Sequence, residues 1–146
     1  MRVVLDTNVL VSGIISAHGP PAKLIDAWLR HRFALLTSVH QLDEFQRVLG
    51  YPKIASRIDR RHAAALIDGL RRAVVIEGVS APGPPALTPD VDDNLLLGLA
   101  IQGRATMLVT GDRAHLLGLG AVDGIPIVSP RAAMRIVIAS DQPLSD

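Results

Sequence analysis

Carboxylates stand at four places where an element boundary can aim them. Asp6 closes the run Arg2-Val3-Val4-Leu5, and Asp112 follows Thr110-Gly111 after a second apolar run. Asp90, Asp92 and Asp93 precede the apolar stretch Asn94–Gln102, and Glu44 interrupts a helix-like segment one position off its apolar stripe. The carboxyl ends of strands in an open parallel sheet line its ligand crevice, so Asp6 and Asp112 point at one site. An acid group that opens a helix in a β-α-β unit can reach the same edge. The choice of acid is also unusual: twelve Asp against only Glu44 and Glu77. Short carboxylates suit caps and metal ligands, whereas Glu is the better former of solvated helix faces.

Each acid has an ordinary reading as well. Asp92, or Thr88 followed by Pro89, fits an N-cap; Glu44 and Asp43 fit a solvated helix face; Asp112 after glycine fits a turn. Asp6 is harder to explain in this way, because a carboxylate closing a core strand needs a partner. Convergence changes the physics. Two unit charges about 4 Å apart repel by roughly 4 kcal/mol at an effective dielectric near 20, a large share of the roughly 5–15 kcal/mol that stabilises a domain. A cation must then sit among them, and one neighbouring arginine, Arg113, is too few. The chain has no cysteine, and His18, His31, His40, His62 and His115 show no ligand spacing, so they read as surface or helix residues. Oxygen-only ligands select Mg²⁺ or Mn²⁺ over zinc, and Mg²⁺ so held usually meets a phosphate. No Walker sequence is present and Gly118-Leu119-Gly120 lacks a strand-to-helix setting, which disfavours ATP and leaves phosphodiester chemistry.

The elements that must position these acids follow from periodicity. Residues 2–5, 33–36, 74–76, 106–110 and 125–128 are short apolar runs of strand type. Helical spacing appears over 22–29, 39–49 behind a Ser38 cap, 60–73, 94–102 and from Ser129-Pro130 onward, with Gly50 and Pro52 stopping the second of these. Strands alternating with helices imply crossovers, hence an α/β fold with a mostly parallel sheet covered on both faces. The stretch 78–89, with four prolines, resembles a linker, but the flanking pieces are small for separate cores and it is expected to be a loop within one domain. Residues 1–140 are expected to form that domain and 141–146 a frayed tail.

With 49% hydrophobic and 20% charged residues over 146 positions, the chain is too apolar for disorder and large enough for one core. Asp6 cuts short any secretory apolar region and no run of about 18 apolar residues exists, so a cytoplasmic protein is expected, with no membrane partner. The net charge is only +1, yet seven basic residues lie between Arg47 and Arg72 against Asp59 and Asp68. That segment is a candidate for phosphate contacts. The four aromatics, Trp28, Phe33, Phe45 and Tyr51, are too few to suggest a base-stacking platform.

Taken in order, Asp6-Thr7-Asn8-Val9-Leu10, the Glu44 of Ser38-(five residues)-Glu44, the Asp93 that opens an apolar helix, and Thr110-Gly111-Asp112 resemble the PIN-domain family of metal-dependent ribonucleases. The resemblance covers about residues 1–138, and Val48-Leu49-Gly50-Tyr51-Pro52-Lys53 is similar to a bacterial branch described as toxins of toxin–antitoxin pairs. It implies a Rossmann-like three-layer α/β/α domain, endonucleolytic cleavage of RNA, Mg²⁺ or Mn²⁺, frequent homodimers and an antitoxin partner. Carried over by position, Asp6, Glu44, Asp93 and Asp112 would be the metal-binding and catalytic quartet, with Asn8 and Thr110 auxiliary; Asp90 and Asp92 match less closely and fit caps or supporting acids. Asp6 and Asp93 would hold the principal ion, Glu44 would orient the water as ligand or base, and Asp112 would complete the site or hold a second ion.

Two other phosphate chemistries fit worse. An aspartyl-phosphate hydrolase needs an acid where Asn8 stands, and a phosphotransfer receiver needs a late lysine where only Lys23 and Lys53 exist. A non-catalytic domain that keeps the acids but works by RNA or protein binding is the alternative from a different class.

Overall fold

A computed structural model describes residues 1–141. The chain runs β1 (Arg2–Leu5), α1 (Thr7–Ile15), α2 (Pro20–Leu29), β2 (Ala34–Thr37), α3 (Val39–Leu49), α4 (Pro52–Ala55), α5 (Arg60–Leu70), β3 (Val74–Val75), α6 (Val91–Gln102), β4 (Met107–Val109), a 3₁₀ turn at Leu117–Leu119, β5 (Ala121–Val122), β6 (Ile125–Val128) and α7 (Pro130–Ser140). The strands form one sheet in the order β3-β2-β1-β4-β6-β5, parallel except for the β5–β6 pair. The chain winds outward from β1 to β3 and then returns to β4 on the other side of β1. Strand order therefore reverses between β1 and β4, the place where a doubly wound sheet opens a crevice at its carboxyl edge.

Side-chain alternation divides the core into two layers. Val3 and Leu5 of β1 pack with α1, α2, α3, α5 and α7, whereas Val4 packs with α6 on the other face. The expected three-layer α/β/α arrangement with a mostly parallel sheet is the one observed. No helix of the described residues is long and apolar enough to cross a membrane.

The near-continuous apolarity of α6 has a structural cause. One side rests on the sheet, and the loop 78–89 covers another. Gly98 lies so close to that loop that a Cβ would run into the Ser80 carbonyl oxygen. The Gln102 amide fastens the same loop, accepting from Ser80 N–H (2.8 Å) and donating to the Gly78 carbonyl (3.0 Å).

Several elements depart from the sequence expectation. α1 sets its apolar residues side by side, as Val9-Leu10-Val11 and Ile14-Ile15, so no single 3.6-residue stripe marks it; Asp6 caps it, and six of its nine residues are buried. α3 ends at Leu49 as expected, but Pro52 then opens the single-turn α4, where proline is tolerated at a first helical position. α5 stops at Leu70, short of Ala73. β5 is an extra strand, joined to β6 through Asp123 and Gly124, both at positive φ. That is the chemistry of a two-residue hairpin turn, and it makes β5 antiparallel. Of the expected tail, Asp141 is tied to Arg32 at 2.8 Å, and the remainder lies outside the described residues.

Gly98→Val should destabilise the protein by about 1–3 kcal/mol, the usual range for overpacking a tight contact, because the loop backbone at Ser80 must move away from α6. Urea unfolding checks this. A variant as stable as the parent would contradict the close contact between loop and helix.

Candidate metal centre

The first acid follows directly from the sheet. Asp6 continues β1 by donating its N–H to the Val109 carbonyl of β4 (2.8 Å), and its side chain is left at 9% exposure. Its Oδ2 accepts from the Thr110 hydroxyl (2.8 Å), while Oδ1 has only a long contact from Asn8 N–H (3.4 Å). Thr110 is fully buried, and its oxygen also accepts the N–H of Asp112 (3.0 Å). One hydroxyl thus joins the acids that follow β1 and β4. Asp112 is a turn residue as well, its Oδ1 accepting N–H groups of Ala114 (3.0 Å) and His115 (3.1 Å).

Glu44 reaches the same edge through a buried polar latch. Ser38 caps α3 through Gln41 N–H (3.1 Å). The Gln41 side chain, 4% exposed, accepts from Thr37 Oγ1 (2.7 Å) and donates to the Leu5 carbonyl (2.6 Å). The residue before Asp6 is therefore bonded to the helix that bears Glu44. Gln41 was not singled out in the sequence, because its partners on β1 and β2 are tertiary.

Asp93 belongs to the first turn of α6. The cap is Asp90, which accepts Asp93 N–H at 2.9 Å; neither Asp92 nor Thr88 caps the helix. Thr88 instead pairs with buried Asn94: its N–H donates to Asn94 Oδ1 (3.0 Å), and Asn94 Nδ2 donates to its carbonyl (2.8 Å). This exchange fixes where the loop enters the helix.

The acids converge. A cavity of about 450 Å³ is lined by the acids Asp6, Glu44, Asp90, Asp92 and Asp93 together with the apolar Val11, Ile15, Val48 and Ile54. Asp112 is not part of that lining but lies beside Asp93, with ligand atoms of Asp93, Asp112 and His115 all within 4.8 Å of one another. Among the described residues no lysine or arginine pairs with any of these acids. Arg113, beside Asp112 in sequence, is exposed. All five histidines are exposed, as expected of surface residues, and two of them lie beside the acids. His40 Nε2 lies 2.7 Å from Asp92 Oδ1, and His115 Nδ1 is 3.8 Å from Asp93 and 3.7 Å from Asp112. The signal available in sequence was their spacing from an acid rather than from another histidine: His40 stands four residues before Glu44, and His115 three after Asp112.

Charge accumulation shows in the titration behaviour. Burial raises Asp6 above the usual carboxylate range, although the Thr110 and backbone hydrogen bonds oppose it. Burial also raises Glu44, opposed by the nearby Thr7 hydroxyl and reinforced by Asp92. Asp93 is pushed up to about 7, first by desolvation and then by the charges of Asp90, Asp6 and Asp112. Slight burial works against Asp112, but the N–H groups of His115 and Ala114 bring it below the usual value. Asp93 is thus shifted far enough to exchange its proton near neutral pH, beside an Asp112 held below the usual value. A predominantly oxygen donor set, short of positive charge, fits a hard divalent ion. Thr7 Oγ1 adds to the fit: Thr7 lines the cavity, and its hydroxyl is the buried side-chain polar atom among the described residues with no hydrogen-bond partner.

A PIN domain family model matches residues 2–114. The chain belongs to the PIN-domain family. It is 26% identical over 117 residues to the uncharacterized protein MJ1680 of Methanocaldococcus jannaschii, covering 77% of this chain and 72% of that one. Two solved structures share the PIN fold. VapBC2 from Rickettsia felis, bound to a DNA fragment from its promoter, superposes with a TM-score of 0.53 at 16% identity, over 88% of this chain and 98% of that one. PAE2754 from Pyrobaculum aerophilum gives 0.54 at 18% identity, over 95% and 90%. At these identities the likeness concerns the fold.

The Asp93 shift carries a definite sign. Its value rises from 3.8 to about 7, so between those pH values the folded PIN domain binds a proton that the unfolded chain releases. The stability this group contributes to the metal-free protein is present below about pH 4 and is lost as pH rises through about 7. Asp6 and Glu44, also raised, act in the same direction. In EDTA, Asp93→Asn should melt higher than the parent at pH 8 and show a shallower fall in melting temperature from pH 4 to 8. Parallel pH profiles for the two proteins would contradict the assignment.

Proposed function

We propose that this PIN domain is a Mg²⁺- or Mn²⁺-dependent endoribonuclease in which Asp6, Glu44, Asp93 and Asp112 hold the ion and carry catalysis. What supports it is that Asp6, Glu44 and Asp93, from separate elements, line one cavity and that Asp112 lies beside Asp93, with no lysine or arginine partner for any of the four among the described residues. The ion would polarise a phosphodiester and acidify water. Thr110 holds Asp6 through one oxygen and leaves the other to the cavity. Glu44, raised by burial, takes a proton from the attacking water. The phosphorus–3′-oxygen bond breaks, the departing oxygen takes a proton from solvent, and one product keeps a 5′-phosphate.

Substrate contacts follow from charge. Lys53 is exposed beside Ile54, which lines the cavity, and Arg57, Arg60 and Arg61 are exposed just beyond it. These would bind RNA phosphates, where arginine offers bidentate contacts. Arg71 and Arg72 stand past the far end of the 11-residue α5, about 16 Å away at 1.5 Å per residue, so the basic segment is not one patch. Trp28, Phe33 and Phe45 are buried, which leaves only Tyr51 for stacking. The likeness to VapBC2 supports a toxin role with an antitoxin protein as partner; the homodimer and the cytoplasmic location belong to the same proposal and rest on the sequence reading alone.

The test is cleavage of single-stranded RNA with Mg²⁺ or Mn²⁺. Activity should vanish in EDTA and fall to that level in Asp6→Asn, while Thr110→Val should lose about 10- to 100-fold as a ligand-orienting residue. Cleavage that survives EDTA or Asp6→Asn would refute the mechanism. Binding without cleavage would favour a non-catalytic PIN domain acting by RNA or protein recognition.

A further inference from the structure

Overlapping the proposed quartet at Glu44, the structure assembles a second ligand set whose donor chemistry differs. His40 and Glu44 are one turn apart on α3, so both side chains project from the same face of that helix. Asp92, from the first turn of α6, meets His40 at 2.7 Å. One ligand atom from each of His40, Glu44 and Asp92 lies within 4.8 Å of the other two. Two ligands from a helix at this spacing and a third from another element is how open three-ligand metal sites are built.

A second feature also points to a ligand. Thr7 is 5% exposed, lines the cavity shared with Glu44 and Asp92, and lies next to the Glu44 carboxylate. Its hydroxyl faces that carboxylate without closing a well-formed hydrogen bond to it or to any other described residue, although buried hydroxyls normally form one. A water on an ion held by Glu44 would give it that bond.

We propose that His40, Glu44 and Asp92 form a site for a divalent transition-metal ion of the zinc and cobalt class, beside the oxygen-only ligand set and sharing Glu44 with it. The imidazole decides the class: nitrogen suits zinc, cobalt and nickel, whereas Mg²⁺ takes oxygen ligands and retains its waters. The inference goes beyond the nuclease reading and does not require turnover. Glu44 is common to both sets, so the two sites are coupled through it.

The experiment titrates the metal-stripped full chain with Zn²⁺ alone, reading affinity by calorimetry and the histidine ring resonances by NMR, with His40 and His115 signals assigned from His40→Ala and His115→Ala. Losing a partner that merely orients a ligand already costs about 10- to 100-fold in metal affinity, so His40→Ala and Asp92→Asn should each weaken Zn²⁺ binding by at least about tenfold. The His40 ring should shift with the first equivalent, in the parent and in Asp112→Asn alike. Both His40 and Asp92 are substantially exposed, so their variants should keep the parent's fold, which the remaining NMR signals verify. The proposal is overturned if the His40 resonance is unmoved, if His40→Ala binds Zn²⁺ like the parent, or if Asp112→Asn abolishes the response. Because RNA cleavage is not the readout, failure here is distinct from failure of the nuclease reading.

Discussion

Carboxylates crowded at the carboxyl edge of β1 and β4 repel one another, and the surrounding structure holds them with dipoles rather than with cations. Asp112 turns one oxygen to the N–H groups of Ala114 and His115 and presents the other to Asp93 and His115. Asp6 gives one oxygen to Thr110 and keeps the other nearly free. Asp93 sits in the first turn of α6, where the helix dipole favours negative charge. Each arrangement secures a carboxylate while leaving ligand capacity toward the cavity. The remaining unfavourable energy appears as the raised Asp93, Glu44 and Asp6, and a divalent cation would relieve it.

Directional bonds set the geometry. Apolar cores accept many substitutions of similar volume, but a buried amide is satisfied by few arrangements. Gln41 bonds β1 and β2 to the helix that bears Glu44, and the Asn94–Thr88 exchange fixes the start of the helix that bears Asp93. Thr110 spans Asp6 and Asp112. Of these contacts, Gln41 to the Leu5 carbonyl and Thr110 to Asp6 join segments distant in sequence, while the Asn94–Thr88 exchange acts locally at the start of α6.

How much of this could be read from the chain depends on whether the cause is local. Asp6 and Asp112 were readable because each ends an apolar run, and strand ends face the crevice of a parallel sheet. Glu44 looked like a solvated helix residue, and only the ordered set of motifs marked it. α1 escaped periodicity because its neighbours bury it on most sides. The choice of cap among Thr88, Asp90 and Asp92 rests on one hydrogen bond that spacing does not distinguish. His40 and Asp92 are 52 residues apart, so their contact is tertiary, although the His40–Glu44 spacing was visible. The β5–β6 hairpin had a local sign in Asp123-Gly124, obscured because its first strand is only two residues long.

The central claim is that the fold brings these acids together to hold a hard cation, and anomalous diffraction at the manganese edge from a crystal soaked in Mn²⁺ tests it most directly. A peak bonded to carboxylate oxygens of Asp6 and Asp93, with Glu44 and Asp112 around it, is the result this account requires. A crystal with no peak among these residues, at Mn²⁺ concentrations that raise the melting temperature, would contradict it.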